Sequence, residues 1–381
     1  MKILFVAPRY HTNQIPIVEG LVKEGNDVYF WSQFTGLIEE HRAVKPVIMR
    51  KSFLTTITSA IRHAILPGGA AELEDMKKFI PSPVWMLIML MKLKPDLVIT
   101  REKNRVSRVV SICCKIIGIK NVILYIQDPY FHKVENKSFR QKIKSKILPK
   151  VIYTPVKYDT SNKCMDYHDS HSYFVPLVYT IENKISPIHA EYMANGELRL
   201  LDIGKYRGYK YHFGAIEAFK LLSQDQNVSL TIIGQCKSED EIEYKAKLLS
   251  KIQEYNLEDR IKLLDNVPYS EMANIYKNYD MLLLPSKSES AGMVILEAMG
   301  NGMGVICTRT CGLAYCVEES GCGDIYTYDD PEELAKIVSK YASAPSLVRE
   351  CANKAYSYIA ENCSFENYMC SLNELICSEF K

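Results

Sequence analysis

No stretch of this 381-residue sequence is fit to cross a bilayer as a helix. The longest apolar run, residues 84–91, ends at Lys92, whereas a spanning helix needs ~20 residues. The amino terminus lacks a separate apolar signal core and a small-residue cleavage site. Lys2-Ile3-Leu4-Phe5-Val6 reads instead as a buried strand, so the expected location is the cytoplasm. A compact cysteine framework is missing as well: the 12 cysteines are dispersed from Cys113 to Cys377 without a C-x-x-C, which predicts reduced thiols. The tightest group, Cys307, Cys311, Cys316 and Cys322, has unequal gaps and suits small core positions better than a metal site. Internal repeats and low-complexity tracts are absent. A composition of 47% hydrophobic and 24% charged residues excludes disordered, collagenous and coiled-coil chains.

At ~100–200 residues per domain the length predicts two domains, each with its own core. Their charges are opposite: residues 1–185 hold 28 Lys and Arg against 16 Asp and Glu, and the remainder 19 against 29. A basic half suits an anionic membrane surface, a phosphate-bearing substrate or nucleic acid, and it suits equally a solvated exterior with no partner. Short apolar runs alternate with amphipathic stretches. Strands are expected at 3–7, 27–31, 96–100, 121–126 and 151–154. After the breaker-rich segment 176–196 they resume at 198–203, 228–234, 260–264, 280–285 and 304–308, with a helical tail from about residue 331. This is the pattern of an α/β chain with two doubly wound, Rossmann-like domains facing across a cleft, ligands lying at the carboxyl ends of the strands. The expected boundaries are 1–185 for the N-terminal domain, 186–360 for the C-terminal domain, and 361–381 for a final helix. Residues 41–95, with helix-like runs 53–66 and 84–93 around Pro67-Gly68-Gly69, read as packing more than as an acceptor platform.

The sharpest local signal runs from Pro285 to Met299. An apolar strand is followed by a loop containing Glu289, and then by a helix in which Glu297 is surrounded by Met293, Val294, Ile295, Leu296, Ala298 and Met299. A carboxylate in such a helix needs partners. A vicinal diol with two hydroxyl donors would serve, each charge-assisted hydrogen bond contributing ~1.5–3 kcal/mol; an internal salt bridge to Arg or Lys would serve as well. The start of the same helix, around Gly292 and Met293, presents backbone amides suited to a phosphate. A second cluster, Gly204-Lys205-Tyr206-Arg207-Gly208-Tyr209-Lys210, follows the first strand of the C-terminal domain. In a parallel sheet it emerges on the same edge as Glu289, where Lys205 and Lys210 would neutralise a diphosphate; a charged surface turn is the alternative.

The Glu289 to Glu297 segment with Ala298-Met299-Gly300-Asn301-Gly302, the Gly204 loop with Lys210, the Leu230-Thr231-Ile232-Ile233-Gly234 strand and the Val267-Pro268-Tyr269 turn resemble, in order and spacing, the donor lobe of GT4-type retaining glycosyltransferases of GT-B fold. The resemblance covers most of residues 198–330. It implies that Lys205 and Lys210 bind the donor diphosphate, Glu289 the hydroxyls of the donor sugar, and Glu297 the nucleotide ribose. Gly292 and Met293 lie where the helix start meets the donor. The implied catalytic residues are Glu289, Lys210 and Asp128. The N-terminal lobe follows the pattern less closely: Arg9-Tyr10-His11-Thr12-Asn13 stands where a Gly-Gly loop is usual, and Gln127-Asp128 where a His-Asp is usual. His11 and Asn13 are cleft-lining by position alone.

The reaction implied is transfer of a sugar from a nucleotide-diphosphate donor to an acceptor hydroxyl with retention, without metal or cofactor, in the assembly of a bacterial surface polysaccharide or glycolipid. The final helix would cross back to the N-terminal domain. The partners expected are the donor and a glycan or lipid-linked acceptor, with no nucleic acid, for which no module motif is present. Between Lys133 and Lys150 lie seven cations and one acid, with Phe139, Ile143 and Ile147 at four-residue spacing. This reads either as a basic amphipathic helix for the anionic inner face of the plasma membrane, making the protein peripheral, or as a solvated helix packed on its own domain. A GT-B-fold sugar-nucleotide epimerase and a non-catalytic two-lobed sugar-binding protein are the alternatives. A dinucleotide oxidoreductase is disfavoured, because Gly300-x-Gly302-x-Gly304 precedes a strand where the fingerprint must follow one.

Overall fold

The computed structural model describes residues 1–35, 41–66, 74–127, 146–157, 171–180 and 192–380. The chain divides into two compact units: Met1–Pro155 with Asp166–Val178 and Phe365–Lys381, and Val156–Met165 with Tyr179–Ser364. The first holds a seven-stranded sheet of β1 (Lys2–Ala7), β2 (Asp27–Ser32), β3 (Val47–Ile48), β4 (Leu97–Arg101), β5 (Val122–Tyr125), β6 (Ile152–Thr154) and β7 (Ser172–Phe174) in the order β3-β2-β1-β4-β5-β6-β7. Every pairing is parallel. β1 is central and buried on both faces, which is why it reads as a continuous apolar run. Ile3, Phe5 and Ala7 pack with Ile17, Val18 and Leu21, and with Tyr368, Leu372 and Leu375. Leu4 and Val6 pack on the other side with Trp31, Met86, Leu90 and Val110. The helix Phe365–Glu379 thus contributes to the core of this unit. It approaches the helix Ile15–Lys23 so closely that a Cβ at Gly20 would lie 2.2 Å from the Phe365 ring.

The second unit has six parallel strands, β8 (Leu198–Ile203), β9 (Val228–Gly234), β10 (Ile261–Asp265), β11 (Met281–Leu284), β12 (Gly304–Thr308) and β13 (Gly323–Tyr326), ordered β10-β9-β8-β11-β12-β13. In both sheets the first strand lies inside, and the order reverses beside it. That switch point falls between β1 and β4 in one unit and between β8 and β11 in the other, and loops leaving the carboxyl edge there flank the ligand crevice of open α/β sheets. At the opposite edge of the second sheet the fully buried Asp280 accepts the Arg199 guanidinium (2.7 and 3.0 Å) and the amides of Met193 and Arg199 (2.9 and 2.8 Å). This staple fixes β8 against β11.

Within 41–95 the helix Pro83–Leu93 packs through Met86 and Leu90, as expected of a packing segment. The helix Phe53–Ile65 does not: it buries only Thr55 and Ser59, and Phe53, Ile61 and Ile65 are exposed. The segment between Lys133 and Lys150 lies outside the described residues as far as residue 145. Among the described residues the cysteines are free thiols, with Cys307, Cys311, Cys316 and Cys322 buried, and no helix is long and apolar enough to cross a membrane.

Candidate functional site

Both loops at the β8/β11 switch point are anchored from below. After β8, Tyr206 is fully buried and its hydroxyl reaches the carbonyls of Ile232 (3.2 Å) and Leu264 (2.9 Å) on the two neighbouring strands. His212 is also fully buried. Its Nδ1 meets Asp202 Oδ2 at 2.7 Å, and its Nε2 meets the Lys205 carbonyl at 3.3 Å. Arg207 is held by Glu241 (3.0 Å). With Tyr206, Arg207 and the Lys205 backbone tied down, the Lys205 side chain is exposed and the Lys210 side chain turns inward to near-complete burial. Arg207, which lies between Lys205 and Lys210 in sequence, is a structural anchor through its Glu241 partner.

After β11 the chain runs through Pro285 and the buried Ser286, whose carbonyl accepts the hydroxyls of Thr308 (2.6 Å) and Thr310 (2.9 Å). Glu289 then pairs in parallel with Cys311 through its backbone: its N–H donates to Thr310 O (3.3 Å) and its carbonyl accepts Gly312 N–H (3.0 Å). The helix Met293–Gly300 begins from Gly292, which adopts φ +80°. A side chain there would be strained, and its Cβ would stand 3.2 Å from Glu289 Cγ. The first amides of this helix have no acceptor within the helix. The two loops are joined by a backbone bond from Lys287 N–H to Tyr209 O (2.8 Å).

The structure brings Lys210, Glu289 and Gly292 together. The Lys210 ammonium donates to the Glu289 carboxylate, with Ser286 Oγ at 3.4 Å from the same oxygen. Burial works against the charge of Lys210, but Glu289 outweighs it, so the ammonium is held above the ordinary lysine pKa. Met293 opens the helix, and Glu297 lies one turn further along it. The alternatives left open for Glu297 are thereby decided against a salt bridge. Its Oε2 accepts the Tyr276 hydroxyl at 2.7 Å, and among the described residues no Arg or Lys pairs with it. Burial pushes its carboxyl above the usual glutamate pKa, with the Tyr276 bond opposing. Tyr276, in the helix Tyr269–Tyr276, carried no signal in the sequence beyond that of a core aromatic. The buried Asp202–His212 pair was likewise missed.

Of the residues expected at the N-terminal unit, Asp128 lies outside the described residues. His11 and Asn13 follow β1. Asn13 is buried and donates from Nδ2 to Gln127 Oε1 (3.3 Å). His11 is held neutral, its pKa pushed down to about 3 by burial and then by Arg101 and Arg9. Arg101, the last residue of β4, completes this edge and was not anticipated.

Residues 188–358 match the family described as glycosyl transferases group 1. Among curated proteins, the chain is 36% identical over 83 residues to a D-inositol 3-phosphate glycosyltransferase of Corynebacterium glutamicum (22% of this chain, 20% of that one). It is 26% identical over 166 residues to the lipopolysaccharide glucosyltransferase WaaG of Escherichia coli (42% and 41%). The matched segments thus span between a fifth and two-fifths of the length of these two relatives. Among solved structures, Anabaena Alr3699/HepE in complex with UDP aligns with TM-score 0.72 at 14% identity over 99% of this chain and 100% of that one. A glycosyltransferase from Rickettsia africae ESF-5 aligns with TM-score 0.75 at 13% identity over 100% and 99%. The likeness to solved structures thus gives the GT-B fold over the whole chain, while the sequence match to the group 1 glycosyl transferases covers residues 188–358, less than half of it.

Proposed function

We propose that the protein is a glycosyltransferase that moves a sugar from a nucleotide-diphosphate donor to an acceptor hydroxyl, with retention and without a metal, in polysaccharide or glycolipid assembly. In this reading the C-terminal unit holds the donor and the N-terminal unit the acceptor. Glu297 and the Tyr276 hydroxyl beside it receive the ribose diol. Lys205, Lys210 and the amides of the helix that starts after Gly292, with Met293 first, face the diphosphate. Glu289 orients the sugar, and Asp128 is assigned a catalytic part on the family resemblance alone.

The catalytic contribution of these groups is electrostatic. As the bond to the sugar breaks, negative charge grows on the departing diphosphate. Cations and amides already in position stabilise that charge without reorganising, the effect that often supplies the largest share of rate enhancement. Lys210 is suited to this because Glu289 keeps it protonated in a buried place. When a diphosphate arrives, the same ammonium has donors to share between carboxylate and phosphate, which ties sugar orientation to phosphate binding.

The observation that carries this reading is Glu297: an acid in an otherwise apolar helix that starts from the carboxyl edge of the sheet, with a hydroxyl partner and, among the described residues, no cation. The test is a panel of nucleotide sugars scored for thermal stabilisation and for slow donor hydrolysis. One donor is expected to raise the melting temperature of the parent, and Glu297→Ala to abolish that rise with little loss of fold. An unchanged response in Glu297→Ala would overturn the assignment.

A further inference from the structure

Arg101 differs from Arg62, Arg199 and Lys210, which each meet a carboxylate, respectively Asp75, Asp280 and Glu289. The Arg101 guanidinium instead donates to two neutral amides: Nη1 to Gln14 Oε1 at 3.3 Å, and Nη2 to Gln127 Oε1. The face of Tyr125 also lies beside it, 5.7 Å away. Both glutamines are buried and are themselves held. The Gln127 N–H donates to Glu102 (2.9 Å), and Gln14 Oε1 also accepts the His11 N–H (3.5 Å). Amides fix a guanidinium in place without cancelling its charge, so Arg101 is oriented and, among the described residues, has no carboxylate partner, with three of its five N–H donors unused by these bonds.

The neighbouring Asn13 shows the complementary feature. Because Gln127 Oε1 faces the guanidinium, Asn13 must turn its NH2 group to that same oxygen, and its own Oδ1 is left buried without a partner. A buried acceptor in that state calls for a donor. The Asn13 amide and the Arg101 guanidinium converge on one oxygen atom, within the span of a single sugar ring. Both lie at the carboxyl edge of β1 and β4, the switch point of this sheet. His11 beside them is held neutral, first by burial and then by the positive charges of Arg101 and Arg9.

We infer that this edge of the N-terminal unit binds an acceptor carrying an oxyanion, phosphate or carboxylate, next to a hydroxyl: Arg101 takes the oxyanion and Asn13 Oδ1 accepts from the hydroxyl. The inference deepens the glycosyltransferase reading by naming the class of acceptor, and it rests on that reading only for the word acceptor; the anion site stands on the N-terminal unit alone. Nothing in it depends on a donor being bound.

The experiment is calorimetric titration of the full chain with glucose 6-phosphate, glucuronate and glucose, in the parent, Arg101→Gln and Asn13→Ala, with UDP titrated into each as a separate control. One of the two charged sugars is expected to bind the parent at least tenfold more tightly than glucose, and which one identifies the oxyanion. Arg101→Gln is expected to reduce that preference to within about twofold. Asn13→Ala should weaken charged and neutral sugar alike and leave the ratio between them. UDP affinity should be the same in all three proteins, which also reports intact folding of the C-terminal unit; a circular dichroism melt of each variant reports the N-terminal unit. Equal binding of charged and neutral sugars by the parent, or a preference that survives Arg101→Gln, would overturn the inference. Failure of the donor reading appears separately, as an absence of nucleotide binding in the parent.

Discussion

At Glu297 the protein keeps a carboxylic acid where the surrounding chain would favour a hydrocarbon, and the cost depends on pH in a definite direction. Burial raises its pKa in the folded state above the unfolded value. Its contribution to stability is therefore fully present below the ordinary glutamate range and is lost as pH rises through the folded pKa. Glu297→Gln keeps the shape and removes the charge. It is expected to melt with the parent near pH 4 and to exceed it by on the order of 1 kcal/mol near pH 8, while losing affinity for nucleotide. Melting curves at the two pH values check this. A glutamine variant less stable than the parent at pH 8 would mean that the acid is paired with a cation after all. The opposite pattern to Glu297 is Asp280, whose four hydrogen bonds from Arg199 and two backbone amides leave no place for a ligand.

The strand–loop–helix element from Met281 to Gly300 positions Glu289 and Glu297 through its backbone, and Gly292 is the joint. An alanine there must accept a left-handed conformation and a methyl group 3.2 Å from the stem of Glu289. Gly292→Ala is expected to cost about 1–2 kcal/mol and to weaken nucleotide-sugar binding more than binding of the nucleotide alone, because it moves Glu289 and leaves Glu297 in place; paired titrations with UDP and a UDP-sugar measure the difference. This element was readable from sequence because each part leaves a local mark: a buried strand as an apolar run, a turn as Pro285-Ser286, a helix as apolar residues around one acid. β1, β8 and β11 were readable for the same reason. The short edge strands β3, β7 and β13 were not, since their half-exposed residues show no clear alternation. The helix Phe53–Ile65 was misread as packing because its apolar positions look like a core stripe although its buried face is Thr55 and Ser59. Tyr276 and Arg101 escaped because their partners lie 21 to 87 residues away on other elements, a relation that no local pattern encodes.

On the scale of the whole molecule, the two sheets are built on one plan but are not built from equally continuous chain. Nearly all of the second unit comes from one stretch, Tyr179–Ser364, whereas the first draws its final core layer from Phe365–Lys381. Tyr368, Leu372 and Leu375 are fully buried against the same face as Ile3 and Phe5. Leu372→Ala is expected to destabilise the first unit by about 2–5 kcal/mol while leaving nucleotide binding by the second intact. Two separated transitions in a thermal melt, with only the second shifted by nucleotide, would show this; one cooperative transition moving as a whole would refute it. The same arrangement orders events during synthesis. The sheet whose strands leave the ribosome first cannot close its hydrophobic layer until a segment translated after the entire second unit has emerged, so the earlier-made half matures last and depends longest on chaperones to shield its open face.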